Sequence, residues 1–343
     1  MAKYFLYVIF LIVFTSCFTE QSEKDKTSKD SSKKKVLFLA GGRSHSVGEH
    51  EHNAGCLILA KALNNSDLGF EARVISKWPN DLAVFDDVDA VVVYADAGGK
   101  YKDEQLKLLD KKIKAGMGIM FLHYGVHPSK EVGQKYFIPW IGGYFETGFS
   151  VNPHWSSDLA PKANHPIGRG IEKSFLVNDE FYLNIRFPTK EQCSDCYPLA
   201  QGLFTPERVN IYNNLWNEYG DACFGKKQTL MWCRDPKTAG RGIGFTGGHF
   251  HHNWAVEGFR KMVLNGIVWI ARSEVPKEGV VSAKVTDKHL NENLDGIPEK
   301  PLKAPVLEDV KKIEAMLRPK DPKNYDVKKH HALVKKMKKQ SNK

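Results

Sequence analysis

Two nucleotide-binding signatures are missing from this 343-residue sequence. It has no GxGxxG turn to cradle a pyrophosphate and no GxxxxGK[ST] loop, so neither NAD nor ATP is expected as a cofactor. Nor does any apolar run reach the roughly 20 residues that a membrane-spanning helix needs. Cysteine is scarce, at six residues, and only one CxxC spacing occurs, Cys193-Ser-Asp-Cys196. A zinc ribbon needs a second such pair, so in an exported chain a local disulfide is the expectation there. Cys223 and Cys233 either pair with each other or stay buried. No internal repeat is apparent.

What is present begins with an export signal. Met1-Ala-Lys3, the apolar stretch Tyr4 to Phe14 and then Thr15-Ser16-Cys17 have the order of a secretory n-region, h-region and small-residue site. Cys17 stands as in a bacterial lipobox, which marks it for lipidation and predicts a periplasmic or outer-surface lipoprotein held to the membrane by an N-terminal lipid anchor. Residues 18–35 are polar, charged and serine-rich, as a flexible tether would be. The formal net charge of +10 is concentrated at the other end, where residues 300–343 carry 14 Lys or Arg against 5 Asp or Glu. The body is therefore close to neutral, and nucleic acid is not an expected partner.

Between these ends the pattern alternates. Short buried-strand runs are expected at 36–40, 72–76, 90–95, 117–122, 229–233 and 242–246, with helices at about 53–63, from Asp103 to a stop at Gly116, and at 255–272. Strands alternating with helices predict an α/β fold, a doubly wound and mostly parallel sheet, with ligands at the carboxyl ends of its strands. The aromatic, proline- and glycine-rich stretch from Gly143 to Phe204 reads as an irregular insertion over those strand ends. The domain is expected to span 36–272, leaving 273–343 as a basic, partly disordered tail.

Ten of the 13 histidines lie between His45 and His252, and most come just after predicted strands. His45, His50 and His52 come after the first strand, His123 and His127 after the fourth, and His249, His251 and His252 after the last. Loops at one edge of a parallel sheet converge, so these groups can meet. Imidazole serves both proton transfer near neutral pH and the binding of metals such as zinc. One histidine of this kind is usually structural; a cluster is not.

The same stretches resemble the ThuA-like (trehalose utilisation) family. Phe121-Leu-His-Tyr-Gly-Val-His127-Pro-Ser is similar to its LH-x-G-x-x-S motif, His165-Pro-Ile-Gly-Arg-Gly-Ile171 to its HPI-x-x-GI element, and Asn178-Asp-Glu180-Phe-Tyr182 to its DE-x-Y segment. TLMWCR, GRGIGFTGGH ending at His249, and NGIVWIA complete the series. The resemblance implies a flavodoxin-like, class I glutamine amidotransferase-like fold and a link to disaccharides or oxidised keto-sugars. Amidotransferases present a cysteine at the strand-to-helix elbow, where this chain has His123, so a cysteine acyl-enzyme is not expected here.

Histidines and a carboxylate gathered at one sheet edge suggest an enzyme doing hydrolase or lyase/isomerase-type acid–base chemistry on a sugar. His123, His127, Glu180 and His249 are the candidate catalytic groups. His123, His127 and His249 are also candidate ligands of a divalent transition metal such as zinc. Asp96, Tyr124, Tyr182, His252 and Trp254 are candidates for contacting the substrate, Asp96 by orienting a histidine or bonding a hydroxyl. The alternative is a non-catalytic carbohydrate-binding lipoprotein with the same pocket.

Overall fold

The sequence folds as expected where its apolar runs are densest, because a strand covered on both faces has no polar side to show. In the computed structural model, residues 33–96, 101–171, 174–211 and 215–306 are described; Cys17, residues 18–32 of the polar tether and residues 307–343 lie outside them, and the tether's last two lysines, Lys34 and Lys35, belong to the first strand. The strands are β1 (Lys34–Ala40), β2 (Phe70–Ser76), β3 (Ala90–Tyr94), β4 (Gly118–Leu122), β5 (His154–Pro161), β6 (Phe175–Asp179), β7 (Cys196–Phe204), β8 (Val209–Ile211), β9 (Lys226–Arg234) and β10 (Gly242–Phe245). They form one sheet in the order β2-β1-β3-β4-β10-β9-β7-β5-β6, with β8 on β5. The first five in that order are parallel. From β9 onward every pairing is antiparallel.

Counted among the parallel strands alone, the order is the 2-1-3-4-5 of a flavodoxin-like sheet, and the fold is α/β and doubly wound. The helices are α1 (His52–Asn64), α2 (Asp103–Lys114), the short α3 (Lys130–Val132), α4 (Ile138–Ile141) and α5 (Glu218–Asp221), then α6 (Glu257–Ile270) and α7 (Asp287–Leu290). Alternation along β1 separates two cores. Val36 and Phe38 pack with Cys56, Leu59 and Leu63 of α1. Leu37 and Leu39 pack with Leu106, Leu109 and Ile113 of α2. The two helices therefore cover opposite faces, and the strand order reverses between β1 and β3.

Two boundaries differ from the sequence expectation. The insertion is not an irregular roof: β5 to β8 extend the sheet, with β7 paired to β9 from Cys196↔Arg234 to Phe204↔Lys226. Pro198 hid this strand, since proline donates no ladder bond, and the register does shift beside it. The domain also continues past 272. Val275, Val280, Val285 and Leu290 are buried, Val280 N–H donates to Asn265 Oδ1 at 2.7 Å, and Arg260 donates to Ser282 Oγ at 3.0 Å. This strap covers a face of α6 expected to meet solvent, so α6 is buried nearly all round.

Cys193 and Cys196 form the local disulfide that their spacing suggests. Cys56, Cys223 and Cys233 are free and buried. No helix among the described residues is long and apolar enough to cross a membrane.

Candidate metal centre

Parallel strands deliver their carboxyl ends to one edge of the sheet, and the histidine-bearing loops leave from that edge. His50 comes after β1, Asp96 after β3, His123 directly after β4 and His249 after β10. Glu180 arrives from the antiparallel half, immediately after β6. His50 and His123 both turn the chain through the left-handed region, with φ of 50° and 49°. Such a conformation is strained for a residue with a Cβ and persists where the surroundings enforce it.

Four side chains meet there. One ligand-type atom from each of His50, His123, Glu180 and His249 lies within 4.8 Å of the others. His50 Nε2 is 3.0 Å from His123 Nε2 and 3.0 Å from His249 Nδ1. Glu180 Oε2 is 3.4 Å from His123 Nε2 and 3.6 Å from His249 Nδ1. A tetrahedral shell with bonds of about 2.0–2.1 Å places its donor atoms roughly 3.4 Å apart, so these spacings match one. None of the four residues is more than 5% exposed.

The ring protons decide what this set can hold. His50 Nδ1–H donates to Asp96 Oδ1 at 2.8 Å, which leaves Nε2 as a bare lone pair. His123 Nδ1–H donates to the Thr246 carbonyl at 2.8 Å, which turns its Nε2 inward, within reach of the Tyr182 hydroxyl at 3.3 Å. The two Nε2 atoms thus face each other across 3.0 Å, a spacing that a proton or a metal cation between them satisfies. His249 Nε2 points towards Glu49 Oε1 at 3.7 Å, turning Nδ1 inward. His50 and His123 are thus each oriented by a hydrogen bond to an oxygen outside the set, as metal-binding histidines are.

The electrostatics agree. Burial pushes His50 down to about 2, against the pull of Asp96, so it is neutral at physiological pH. Burial would also lower His123, but Glu180, Asp179 and the Thr246 carbonyl together outweigh it, so this ring holds a proton more readily than a free imidazole. Burial works to raise Glu180, and its contacts with His123, His154 and His249 overcome this and hold it well below the usual carboxylate range. Glu180 is therefore ionised, and it sets an anionic oxygen beside the neutral His50 ring.

A family model described as ThuA, trehalose utilisation, matches residues 35–270. The chain belongs to the ThuA family. This ThuA chain is similar in structure to a ThuA-like protein of Parabacteroides merdae at 17% identity, covering 74% of this chain and 96% of that one with a TM-score of 0.50. A ThuA-like protein of Bacteroides uniformis is similar at 15% identity over 69% and 91% of the two chains, TM-score 0.49. A glutamine amidotransferase of Thermotoga maritima is similar at 8% identity over 70% and 99%, TM-score 0.38. No curated protein matches the sequence.

Within the ThuA motifs the structure separates residues that the sequence grouped. His123, Glu180 and His249 come together. His127 does not join them: its Nε2 lies 2.8 Å from Thr147 Oγ1, and its ring packs on Phe145. The turn His123–Val126 carries it away from the cluster, and His50 supplies the donor in its place. Asp96 orients a histidine, namely His50. Tyr182 is buried with its hydroxyl 3.3 Å from His123 Nε2, and half-buried Tyr124 lies 6.1 Å from His50 between ring centres. His252 stacks on Phe250 instead of facing the cluster. Trp254 is wholly buried against Tyr94 and Phe259, a core position and not a sugar-facing one.

Besides His50, the sequence reading leaves Asp179 out of the candidate site. Its carboxylate, fully buried, accepts from the backbone N–H groups of Gly248 at 2.7 Å, His249 at 3.0 Å and Phe250 at 3.3 Å. The Asp-Glu pair thus divides its work: Asp179 fixes the His249 loop and Glu180 enters the cluster. The adjacency to Glu180 was the available signal.

Proposed function

We propose that this chain is an exported, metal-assisted enzyme of carbohydrate utilisation, acting on a disaccharide or its keto derivative. The observation that carries the reading is the pair of inward-facing Nε2 atoms of His50 and His123, 3.0 Å apart, beside an ionised Glu180. His50, His123, His249 and Glu180 would hold a divalent transition metal such as zinc. When bound, the ion supplies Lewis acidity able to polarise a sugar carbonyl. The chain's own groups do the rest. The Tyr182 hydroxyl lies beside His123, His154 Nε2 lies 3.5 Å from the outer oxygen of Glu180, and exposed His45 stacks on His50 at 3.6 Å. These supply hydrogen bonds and proton transfer at the rim of the site.

Thiol chemistry has no group to carry it here. The elbow residue is His123, and burial pushes Cys223 up to about 11 and Cys233 up to about 12. Cys56 is raised further still, in the core beneath α1. The carbohydrate assignment rests on the family description, and the export assignment on the signal-like residues ending at Cys17.

The test is elemental analysis of the purified protein after dialysis against metal-free buffer, beside His50→Ala and His123→Ala, with turnover monitored on keto-sugars. About one transition metal per chain in the wild type, lost in both variants along with turnover, is the expected result. A metal-free wild type that still turns over sugar removes the Lewis-acid route. Sugar binding without turnover replaces the enzyme by a binding protein.

A further inference from the structure

A cavity of about 270 Å³ is lined in part by Asp96, the residue that holds His50 of the metal centre. It opens between Gly41-Gly42, after β1, and Asp96, after β3. That is the crevice where the strand order reverses, the place where doubly wound sheets take their ligands. Its volume lies just under the roughly 300–1,000 Å³ of sites for drug-sized molecules, so it has room for one ring and not two.

The lining is amphipathic in a particular way. Trp78 forms an aromatic wall, held edge-on by Tyr101 at 5.4 Å and tilted against Phe85 at 6.0 Å. Ser44, Lys77 and Asp96 present polar groups around it. Tyr101 is itself anchored against Phe121 and Phe137, which fixes this wall. Gly42 keeps the space open: a Cβ there would meet nothing nearer than Lys77 Cε at 3.8 Å. Gly41 differs, since a Cβ on it would stand 2.8 Å from both Ala95 Cα and His52 Nδ1, so it closes the backbone and does not line free space.

We propose that this cavity is a sugar subsite that takes one pyranose ring of the substrate, its apolar face against Trp78 and its hydroxyls bonded to Ser44 and Asp96. An aromatic wall with hydroxyl, cationic and carboxylate groups at its edge suits a molecule that is apolar on its faces and polar all round its rim. The inference rests on the carbohydrate reading above but not on the metal. It makes Asp96 the residue common to both sites, facing the ring on one side and orienting His50 on the other.

Wild type, Gly42→Leu and Trp78→Ala are titrated with D-glucose and with trehalose by calorimetry, and the metal content of each sample is measured alongside. The wild type is expected to bind, and both variants to bind about tenfold or more weakly while keeping the wild-type metal content. Ser44→Ala, at an exposed position, is read in place of any variant that does not fold and is expected to weaken binding severalfold. A folded Gly42→Leu that binds like the wild type overturns the subsite, and so does a wild type that binds neither sugar. Metal missing from every sample, with the sugar results as expected, overturns the metal centre and leaves the subsite standing.

Discussion

The loops after β1 and β4 solve one problem in two ways. Each turns through a left-handed histidine, and each sends one ring to the cluster and another histidine elsewhere. After β4 the geometry is local: His123 succeeds the strand without a gap, and its Nδ1 is held by a backbone carbonyl, that of Thr246. After β1, His50 comes nine positions beyond Gly41, and the ring is held by the side chain of Asp96. The longer loop is fastened from outside. Glu51 Oε1 accepts from Gly48 N–H at 2.8 Å and Oε2 from Asp295 N–H at 2.7 Å, so the strap beyond α6 pins it. Leu302 also packs on Gly48. A site residue close to its strand needs little help, whereas one on a long loop borrows order from distant chain.

Removing that distant chain is the strongest way to break the comparison. Truncation after Pro276 exposes the sites of Val280, Val285 and Leu290, all buried in the full chain. Each such side chain contributes about 1.5–3 kcal/mol, so the loss is comparable to the stability of a whole domain. Insoluble protein, or a melting temperature lowered by more than about 10 °C, is the expected result in expression and calorimetry. A truncated chain that melts like the full one would show that the strap is dispensable.

A smaller effect separates the two histidines themselves. Asp96→Ala removes the oxygen that sets the His50 tautomer and should weaken metal binding about 10- to 100-fold, read by competition with a chelator. Unchanged affinity would mean that His50 is held by its loop alone. The smallest effect is expected at Thr246→Val. The carbonyl that orients His123 remains, and the Thr246 hydroxyl, buried without a hydrogen-bond partner among the described residues, is the polar group lost. Metal affinity should stay within about twofold, and stability should be unchanged or raised by up to about 1 kcal/mol. A large loss of metal would show that the hydroxyl, and not the carbonyl, holds the site.

The sequence exposed some of these parts and concealed others for identifiable reasons. β1, β3 and β4 are short apolar runs that no solvent-facing element could carry, and they were readable together with the histidines just beyond them. Glu180 was readable through its segment, but Asp179 was not, because a carboxylate that binds three backbone N–H groups leaves no pattern in its neighbours. His127 and His50 exchanged importance because spacing along a chain does not report which way a turn sends a side chain. The strap read as a tail, since its buried valines are widely spaced and match neither helical nor strand period.

By itself, then, the sequence determined the parallel centre of the sheet, the edge at which its loops gather and the supply of imidazoles delivered there, since all three depend on local apolar runs and the residues immediately after them. The tertiary structure decided which imidazoles face one another, which nitrogen of each is left without a proton, and that a strap from beyond α6 fastens the loop of His50. Those depend on partners tens to hundreds of residues away, such as Asp96 for His50, Thr246 for His123 and Asp295 for Glu51, and folding alone brings such partners together.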